Sequence, residues 1–300
     1  MTKKTRNWLL ALCIFAIPFL IFSGFLISDF SAPPPPPVLP NPNGYDDLVK
    51  AGEMVTDNTT FYSGMKMGQL QEVISADAAA LALARSGLSN QCQVPVQYTE
   101  TYMSNHLRDL ASLKRLAQAF VAEGRLAELE NRPSDAAKSY LDIIHLGSES
   151  PRGGPLIDEL VGIAIDSIGT SYLQQLLPQL DAKSCRETAT TLETLDSQRQ
   201  TWQEVMQQES AWSSGTFRGW RNDFVRFEEH KSLLAATAST AKKLNVYVQK
   251  ARRLMIDLAA RAYQLDKGKP PASLADLVPD YLKAIPQDPV TGTNMVYSPQ

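Results

Sequence analysis

The chain has 300 residues, of which 44% are hydrophobic and 20% charged, a composition typical of a folded protein and not of a disordered one. Its formal net charge is −3, and because Lys3, Lys4 and Arg6 precede the first acidic residue, the rest of the chain carries −6. This mildly acidic body argues against nucleic acid as the partner, since phosphate binding needs a concentrated basic surface.

The first predicted element is a membrane anchor. No charged residue occurs from Asn7 to Ser28, and about 20 apolar residues at ~1.5 Å per residue span the ~30 Å hydrocarbon core of a bilayer. A cleaved signal peptide is the alternative, but its apolar stretch usually has about 7–15 residues and ends at small residues. We therefore expect residues 8–28 to form an uncleaved transmembrane helix in contact with lipid.

The charges around this anchor predict its orientation. Basic side chains lie on its N-terminal side, so the positive-inside rule places residues 1–7 in the cytoplasm and the rest of the chain outside it. The expected location is the inner (cytoplasmic) membrane, which the chain crosses once.

Residues 29–44 form a proline-rich linker that includes an unbroken run from Pro33 to Pro37. Such a segment adopts the polyproline II conformation at ~3.1 Å per residue and makes a semi-rigid spacer of roughly 30–40 Å. A ligand for SH3-type domains is the other interpretation of these prolines. For a segment on the outer side of a membrane protein, the better interpretation is a stalk that holds the following domain away from the bilayer.

Residues 45–266 are predicted to form an α-helical extracytoplasmic domain. Apolar residues recur about every 3.6 positions through most of this range. Pro133 opens one helix, Gly147 closes it, and Asp181 is a candidate N-cap for another. The predicted helices cover residues 67–89, 106–130, 133–147, 155–180, 181–209 and 233–265, with a Gly/Trp/Phe-rich hinge or loop at 210–224.

Residues 155–180 are the most apolar segment outside the anchor, but Asp158, Glu159 and Asp166 interrupt it. We therefore expect a buried core helix and not a second membrane span. Its small residues would let a neighbouring helix approach closely; they are Gly162, Ala164 and Gly169. Carboxylates are numerous along the chain and mostly occupy polar helix positions, where a solvated face is expected.

One stretch has the spacing of a helical hairpin. Gly124, Ala136 and Tyr140 fall at the separations found in a tetratricopeptide hairpin, although no second copy of the pattern follows at about 34 residues. The pattern favours a single pair of antiparallel helices within a larger bundle or short solenoid, with small residues where the two helices touch.

The sequence shows no familiar catalytic motif. The histidines are His106, His145 and His230, and none has the spacing of a zinc site, a hydrolase elbow or a nucleotide-binding loop. His145, in an apolar setting, is expected to be buried and hydrogen-bonded. We predict no catalytic residue, cofactor site or metal site, and we expect the protein not to be an enzyme.

Two cysteines follow the anchor, Cys92 and Cys185. Disulfides persist outside the cytoplasm, and a bridge between these residues would close a loop of about 90 residues and contribute roughly 4 kcal/mol. The alternative is two unrelated thiols. The sequence leaves both interpretations open.

The C-terminal residues 267–300 resemble the tail of type II secretion pseudopilins. In that family a helix with a tyrosine precedes a Gly-x-x-Pro turn, a short Leu-rich helix, a Pro-x-Asp-Pro turn and a strand that carries a tyrosine. The matching residues here are Tyr263, Gly268, Pro270, Pro271, Leu274, Leu277, Tyr281, Leu282, Pro286, Asp288, Pro289, Gly292 and Tyr297. In the family this tail can hold calcium, but Asp288 is the one clearly aligned carboxylate, so we predict no calcium site.

We expect this tail to be a clasp that folds back on the last long helix, with prolines fixing its turns. The residues expected on that helix are Leu274, Leu277, Tyr281, Ile285 and Tyr297. The candidate clasp or interaction residues are Tyr263, Pro286, Asp288, Pro289, Gly292 and Tyr297.

As a whole the chain resembles a group of uncharacterised bacterial proteins with one membrane anchor, a helical body and this same tail. The resemblance lies in "QCQVPVQY", "LKRLAQAFVAEG" and "LIDELVGIAID", and it implies a mainly α fold with an anchor, a proline-rich stalk, a hairpin bundle or short solenoid, and a C-terminal helix-turn-β clasp. The expected function is a scaffold or protein-interaction module for other envelope proteins. The alternatives are an accessory component of a type II secretion or type IV pilus-like system, and an envelope hydrolase.

Overall fold

Helices make up most of the chain that the structure describes. The computed structural model describes residues 35, 37–56, 64–99, 101–216 and 220–297, with the backbone alone described for residues 220–236. Within these ranges the chain forms α-helices and no β-strand, apart from an isolated antiparallel bridge between Gln287 and Asn294. The mainly α prediction is confirmed.

The described helices follow one another with short connections. They are α1 (Gly44–Met54), α2 (Met67–Leu88), α3 (Tyr102–Leu129), α4 (Pro133–Glu149), α5 (Leu156–Leu176), α6 (Ala182–Ser197), α7 (Trp202–Thr216) and α8 (Trp220–Lys267), with short 3₁₀ helices at Leu177–Gln179 and Leu274–Leu277. Several boundaries follow directly from the sequence. Asn43 and Asp181 cap α1 and α6 with their side chains, and Pro133 occupies the first turn of α4, where its missing N–H costs nothing.

The helices stack in chain order. Each of α1 to α4 packs against the helix that follows it, and contacts also join α1 to α3, α2 to α4, and α3 to α5. Helix α6 then packs on α4 and on the long α8. Contacts in this part of the chain are thus mainly between helices that are near neighbours in sequence. Its core runs along the stack and includes Phe120, Tyr140 and Ile144.

Glycines set the closest helix contacts. A side chain at Gly124 would collide with the ring of Tyr140, so the expected hairpin contact between α3 and α4 is present. On α5, a Cβ at Gly169 would lie 2.6 Å from the carbonyl oxygen of Tyr140. The prediction for Ala164 is wrong: this residue is exposed, because it lies on the face of α5 that points away from α4.

Three predicted boundaries in the second half of the chain are wrong. The single helix predicted at 181–209 is two helices, α6 and α7, with residues 198–201 between them. The stretch 210–224 is not a hinge over its first part, since α7 continues to Thr216. Gly215 provides close packing there, because a Cβ would lie 2.5 Å from the ring of Tyr98. Helix α8 begins at Trp220, not near residue 233, and its 48 residues give it a length of ~72 Å at ~1.5 Å per residue.

No helix in the described ranges is long and apolar enough to cross a bilayer. The predicted cytoplasmic tail and the predicted anchor at residues 8–28 lie outside the described residues, as do residues 29–34 and 36 of the linker.

A substitution at the tightest contact between α4 and α5 tests this packing. A Cβ added in Gly147→Ala would lie 2.6 Å from the backbone nitrogen of Asp166 and from the carbonyl oxygen of Gly162. Backbone atoms cannot rotate away, so overpacking of about 1–3 kcal/mol should exceed the helix-propensity gain of about 1 kcal/mol. We expect a net loss of up to about 2 kcal/mol in the free energy of unfolding, measured by urea denaturation followed by circular dichroism.

Gly68→Ala is the matched control, since a Cβ at this exposed helical position meets nothing within 4 Å. It should leave the stability unchanged or raise it by up to about 1 kcal/mol. Equal stability of the two variants would contradict the close approach of α4 and α5.

Candidate functional site

An open cleft of about 850 Å³ lies where the C-terminal ends of α2, α4 and α6 come together. Its walls come from the C-terminal end of α2 with the extended residues that follow it, from the C-terminal end of α4, and from the α6–α7 loop with the start of α7. Residues 38–40 of the linker form a further edge. Separate parts of the chain therefore build one surface that no single sequence motif encodes.

Hydrogen bonds hold the extended wall in place. The Asn43 side chain donates to the carbonyl oxygen of Gln93 at 2.9 Å and accepts from the backbone N–H of Gln93 at 2.9 Å. The N–H of Gly44 donates to the carbonyl oxygen of Gln91 at 2.9 Å, and Val94 donates to that of Arg152 at 2.8 Å. These bonds join the start of α1, the extended segment and the end of α4 into one unit.

Arg152 connects two walls of the cleft. Its guanidinium donates to the Glu149 carboxylate at 2.7 and 2.8 Å and to the carbonyl oxygen of Gln198 at 2.6 Å. The first contact neutralises the charge, and the second fixes the α6–α7 loop against α4. Arg152 thus acts as a structural tie with its charge already paired.

Amide side chains dominate the remaining lining. The carbonyl of the Gln200 side chain accepts from the N–H of Gly153 at 3.2 Å and from the Gln208 side chain at 2.9 Å. The amide nitrogen of Gln200 and the amide oxygen of Gln208 are buried without a hydrogen-bond partner in the described structure. A donor and an acceptor are therefore unpaired within the cleft wall, which costs about 1–3 kcal/mol for each group.

Behind the cleft, α5 places the carboxyl groups of Glu159 and Asp166 in the protein interior. Arg199 lies 3.3 Å from Asp166, donates to the Tyr247 hydroxyl at 2.9 Å and sits 4.7 Å above the Tyr247 ring. Burial raises the pKa of Glu159 to about 7 and that of Asp166 to about 6, and Arg199 moderates both shifts. These groups join α5, the α6–α7 loop and α8 through a buried polar contact.

A second buried pair joins α3 and α5. His106 Nε2 lies 2.7 Å from Asp158 Oδ1, and both side chains are at most 1% exposed. The His106 ring stacks on Tyr102 at a centroid distance of 4.8 Å, with Tyr45 of α1 at 6.4 Å. Desolvation raises the pKa of Asp158 above its usual range, and the hydrogen bond with His106 opposes that rise. No substrate can reach a pair enclosed in this way, so its role is to hold α1, α3 and α5 together.

The expectation of a solvated face does not hold for these α5 carboxylates. Asp158, Glu159 and Asp166 are all buried. Asp158, Gly162, Asp166 and Thr170 recur every four residues, which places them on one helix face. That spacing was the signal in the sequence: the small and acidic face of α5 is the buried one, and several of its aliphatic residues are only partly buried.

The other histidines differ from expectation. His145 is half-buried in the wall of the cleft, where burial lowers its pKa, and it is not the buried, hydrogen-bonded residue that the sequence predicts. The side chain of His230 lies outside the described part of α8.

The two cysteines, for which the sequence left both a disulfide and two separate thiols open, form no disulfide. Cys92 and Cys185 are both free and buried, and burial raises their pKa values to about 12 and about 11. The reason is their position along α4. Ser184, next to Cys185, bonds Ser134 at one end of α4, whereas Cys92 lies near Glu149 at the other end. Those ends are ~23 Å apart at ~1.5 Å per residue, and a bridge needs Cα atoms within about 7 Å.

The tail does fold back on α8. Leu274, Leu277, Tyr281, Ile285 and Tyr297 all join the hydrophobic core or pack against it. The Tyr281 ring meets Tyr263 edge-on at 5.4 Å, and its hydroxyl donates to Asp266 at 3.0 Å.

The turn between Pro286 and Tyr297 is organised by Asp288, which Pro289 follows. The Asp288 carboxylate accepts from the N–H groups of Val290 at 2.8 Å and Thr291 at 3.0 Å, and from Gln249 of α8 at 2.7 Å. Gly292 has φ +69°, a conformation that glycine adopts without strain. Asp288 is therefore a turn and docking residue here, with N–H donors on its carboxylate.

Within the described ranges, no three His, Cys, Asp or Glu side chains are grouped in a way that could hold a metal ion. Comparison with protein-family models, with curated proteins and with solved structures gave no match.

Glu159 should make stability depend on pH. Its pKa is higher in the folded protein than the ordinary value of 4.5. The stabilising contribution of this carboxyl group to the free energy of unfolding is therefore complete below about pH 4.5, and it is lost as the pH rises through about 7. We expect Glu159→Gln to raise the free energy of unfolding at about pH 8, by about 2–3 kcal/mol at most, and by much less at about pH 5. Urea unfolding at the two pH values measures this difference.

The control is Glu187→Gln on α6, because the side chain of Glu187 is 66% exposed. It should change stability by the same small amount at both pH values. A Glu159→Gln effect that does not vary with pH would contradict the burial of a protonated carboxyl at this position.

The His106–Asp158 pair makes a separate prediction. His106→Leu alone leaves the Asp158 carboxyl buried without its partner and should cost about 3–5 kcal/mol. In the double variant His106→Leu/Asp158→Leu, apolar side chains replace the pair, and much of that loss should return. Unfolding free energies of the two single variants and the double variant test this, and strictly additive losses would show that the pair is not coupled.

Proposed function

We propose that the protein is a membrane-anchored extracytoplasmic scaffold whose helical domain binds a segment of another envelope protein in the cleft. The observation that carries the proposal is the cleft itself: about 850 Å³, open to solvent, with walls fixed by hydrogen bonds. A surface of this kind is prepared for a ligand, because its backbone needs little ordering when the ligand binds.

The membrane location rests on the sequence. The uncharged stretch from Asn7 to Ser28 and the basic residues before it support an inner-membrane anchor with the helical domain outside the cytoplasm. The resemblance of the whole chain to bacterial membrane-anchored helical proteins supports the same arrangement.

A binding role is favoured over hydrolysis by the burial of the titratable groups. A general acid–base pair must reach the substrate within hydrogen-bond distance. The His106–Asp158 pair is enclosed beside Tyr45 and Tyr102, and Glu149, Arg152 and Arg199 at the cleft are engaged in structural pairs.

A second candidate function uses the tail. Val290 and Val296 are 69% and 77% exposed on the clasp, and the tail resembles that of pseudopilins. These exposed aliphatic residues favour a contact with pseudopilin-like partners, as an accessory component of a type II secretion or type IV pilus-like system would make.

Site-specific photo-crosslinking in intact cells of the native host separates these candidates. A photo-reactive residue replaces Gln91, which is exposed at the cleft, or Val290 on the tail, or Gln203, which is exposed on α7 and is not part of the cleft lining. We expect a discrete adduct with an envelope protein from position 91 and none from position 203, identified by mass spectrometry.

Adducts with pseudopilins from position 290 alone would favour the secretion role. An absence of adducts from both position 91 and position 290 would overturn both candidate functions. Deleting the tail is a poor substitute for these probes, since Leu277 and Leu282 of the tail are buried in the core and their loss would destabilise the domain.

A further inference from the structure

We propose that the α6–α7 loop, residues 198–201, is a pH-sensitive gate of the cleft. When the buried carboxyl groups of Glu159 and Asp166 are both ionised, the loop opens, and the cleft wall that it forms moves with it. The opening of the loop rests on the geometry of these carboxyl groups, whereas its consequence for binding rests on the proposed function.

The two carboxyl groups share one cation. Asp166 is fully buried and Glu159 is 5% exposed. The Arg199 guanidinium lies 3.3 Å from the Asp166 carboxylate, and its charge also attracts Glu159. Thr170 donates to Asp166 at 3.1 Å, whereas no described residue donates a hydrogen bond to the Glu159 carboxyl. With both groups ionised, one positive charge would face two buried negative charges.

Neighbouring charged groups come from every element that packs on α5, and they have partners outside this pair. Among the described residues these partnerships are Asp158 with His106 of α3, which Asp109 also approaches at 3.6 Å, Glu149 of α4 with Arg152, Asp196 of α6 with Arg252 of α8, and Glu209 of α7 with the backbone N–H of Leu156. Tyr247 of α8 accepts a hydrogen bond from Arg199. Within the described ranges, Arg199 is therefore the cation that Glu159 and Asp166 share.

Burial makes the doubly ionised pair costly. It is the largest influence on both groups, and it raises the pKa of Glu159 to about 7 and that of Asp166 to about 6 against the attraction of Arg199. A carboxyl group in water ionises at a lower pH. The preference for the closed loop is therefore complete at about pH 4, and it falls as the pH rises through 6 and 7.

The α6–α7 loop is part of the cover over Glu159. Ile163 follows Glu159 by one turn on the same face of α5, and it packs against a cluster that includes Trp202 and Tyr247. The cover therefore comes from the loop with its Arg199, from the start of α7, and from α8. An opening of the loop would bring water to the Glu159 carboxyl.

The same loop is also a wall of the cleft and is weakly held. Gln198, Arg199 and Gln200 line the cleft, and none of the four loop residues is fully buried. Arg152 binds the carbonyl oxygen of Gln198 at 2.6 Å. A segment without buried side chains can open at a free energy well below that of global unfolding, so the loop can open while the helices stay folded.

Hydrogen–deuterium exchange of the full chain in detergent micelles tests the gate, with each rate corrected for the intrinsic pH dependence of amide exchange. Because the pKa of Glu159 is about 7 in the closed state and its ordinary value is 4.5, protection of the loop amides should fall about tenfold from pH 6 to pH 8. At pH 8 the loop should be less protected than α4, since it opens locally. Exchange of the loop and α4 at one common rate, or loop protection that does not vary with pH, would overturn the inference.

Substitutions identify the groups responsible. Glu159→Gln should reduce the change in loop protection to about twofold, which is the part left to Asp166 with its pKa of about 6. Asp166→Asn leaves Arg199 to Glu159 alone and should also reduce the change. Glu187→Gln, at an exposed position of α6, should keep the full tenfold change.

Circular dichroism at both pH values shows whether each variant is folded, and either carboxyl variant suffices for the comparison with Glu187→Gln. A tenfold change that persists in the folded carboxyl variants would overturn the inference, because a different group would then control the loop.

Crosslinking from position 91 in membranes of the native host, at pH 6 and pH 8, separates the gate from the proposed function. We expect less adduct at pH 8 than at pH 6, and equal yields at the two pH values in Glu159→Gln. Equal yields without that substitution would keep the cleft as a binding site and overturn its control by the gate. No adduct at either pH would overturn the proposed function, while the exchange measurement still decides whether the loop opens.

Discussion

The close approach of α4 and α5 is the constraint on which the rest of the structure depends. Gly147 and Gly162 let the two backbones touch, and a Cβ at Gly162 would lie 2.5 Å from the carbonyl oxygen of Gly147. This contact directs the face of α5 that carries Asp158 and Asp166 into the protein. Because buried carboxyl groups need partners, that orientation in turn requires His106 on α3 and Arg199 after α6.

These polar contacts place the cleft. Arg199 and Arg152 hold the α6–α7 loop against α5 and α4, and the loop then forms one wall beside the end of α4. Polar groups therefore do two things in this fold: the ion pairs of Arg152 and Arg199 fix the position of the loop, and one amide atom each of Gln200 and Gln208 is buried without a partner in the cleft wall. A well-packed helical stack supplies the rigid support that a binding surface on loops requires.

The two ends of the described chain are attached in different ways. Asn43 ties the end of the linker to the extended segment of the cleft wall, so in the proposed topology the cleft lies close to the point where the stalk joins the domain. The tail is attached to α8, where Arg252 and Arg253 donate to the carbonyl oxygens of Gln287 and Val296.

The sequence by itself determined the helical class, the start of α4 at Pro133, the cap at Asp181, the Gly124–Tyr140 hairpin contact and the return of the tail onto α8. Each of these depends on local pattern: the 3.6-residue period, a capping side chain, or prolines and aliphatic residues at short spacing. Only the tertiary structure decided that Cys92 and Cys185 lie at opposite ends of α4, that the acidic face of α5 is buried, and that residues 38–40, 88–93, 145–153 and 198–208 meet in one cleft. Those features depend on pairs of residues far apart in the chain, and no single segment contains the partner that gives each of them its environment.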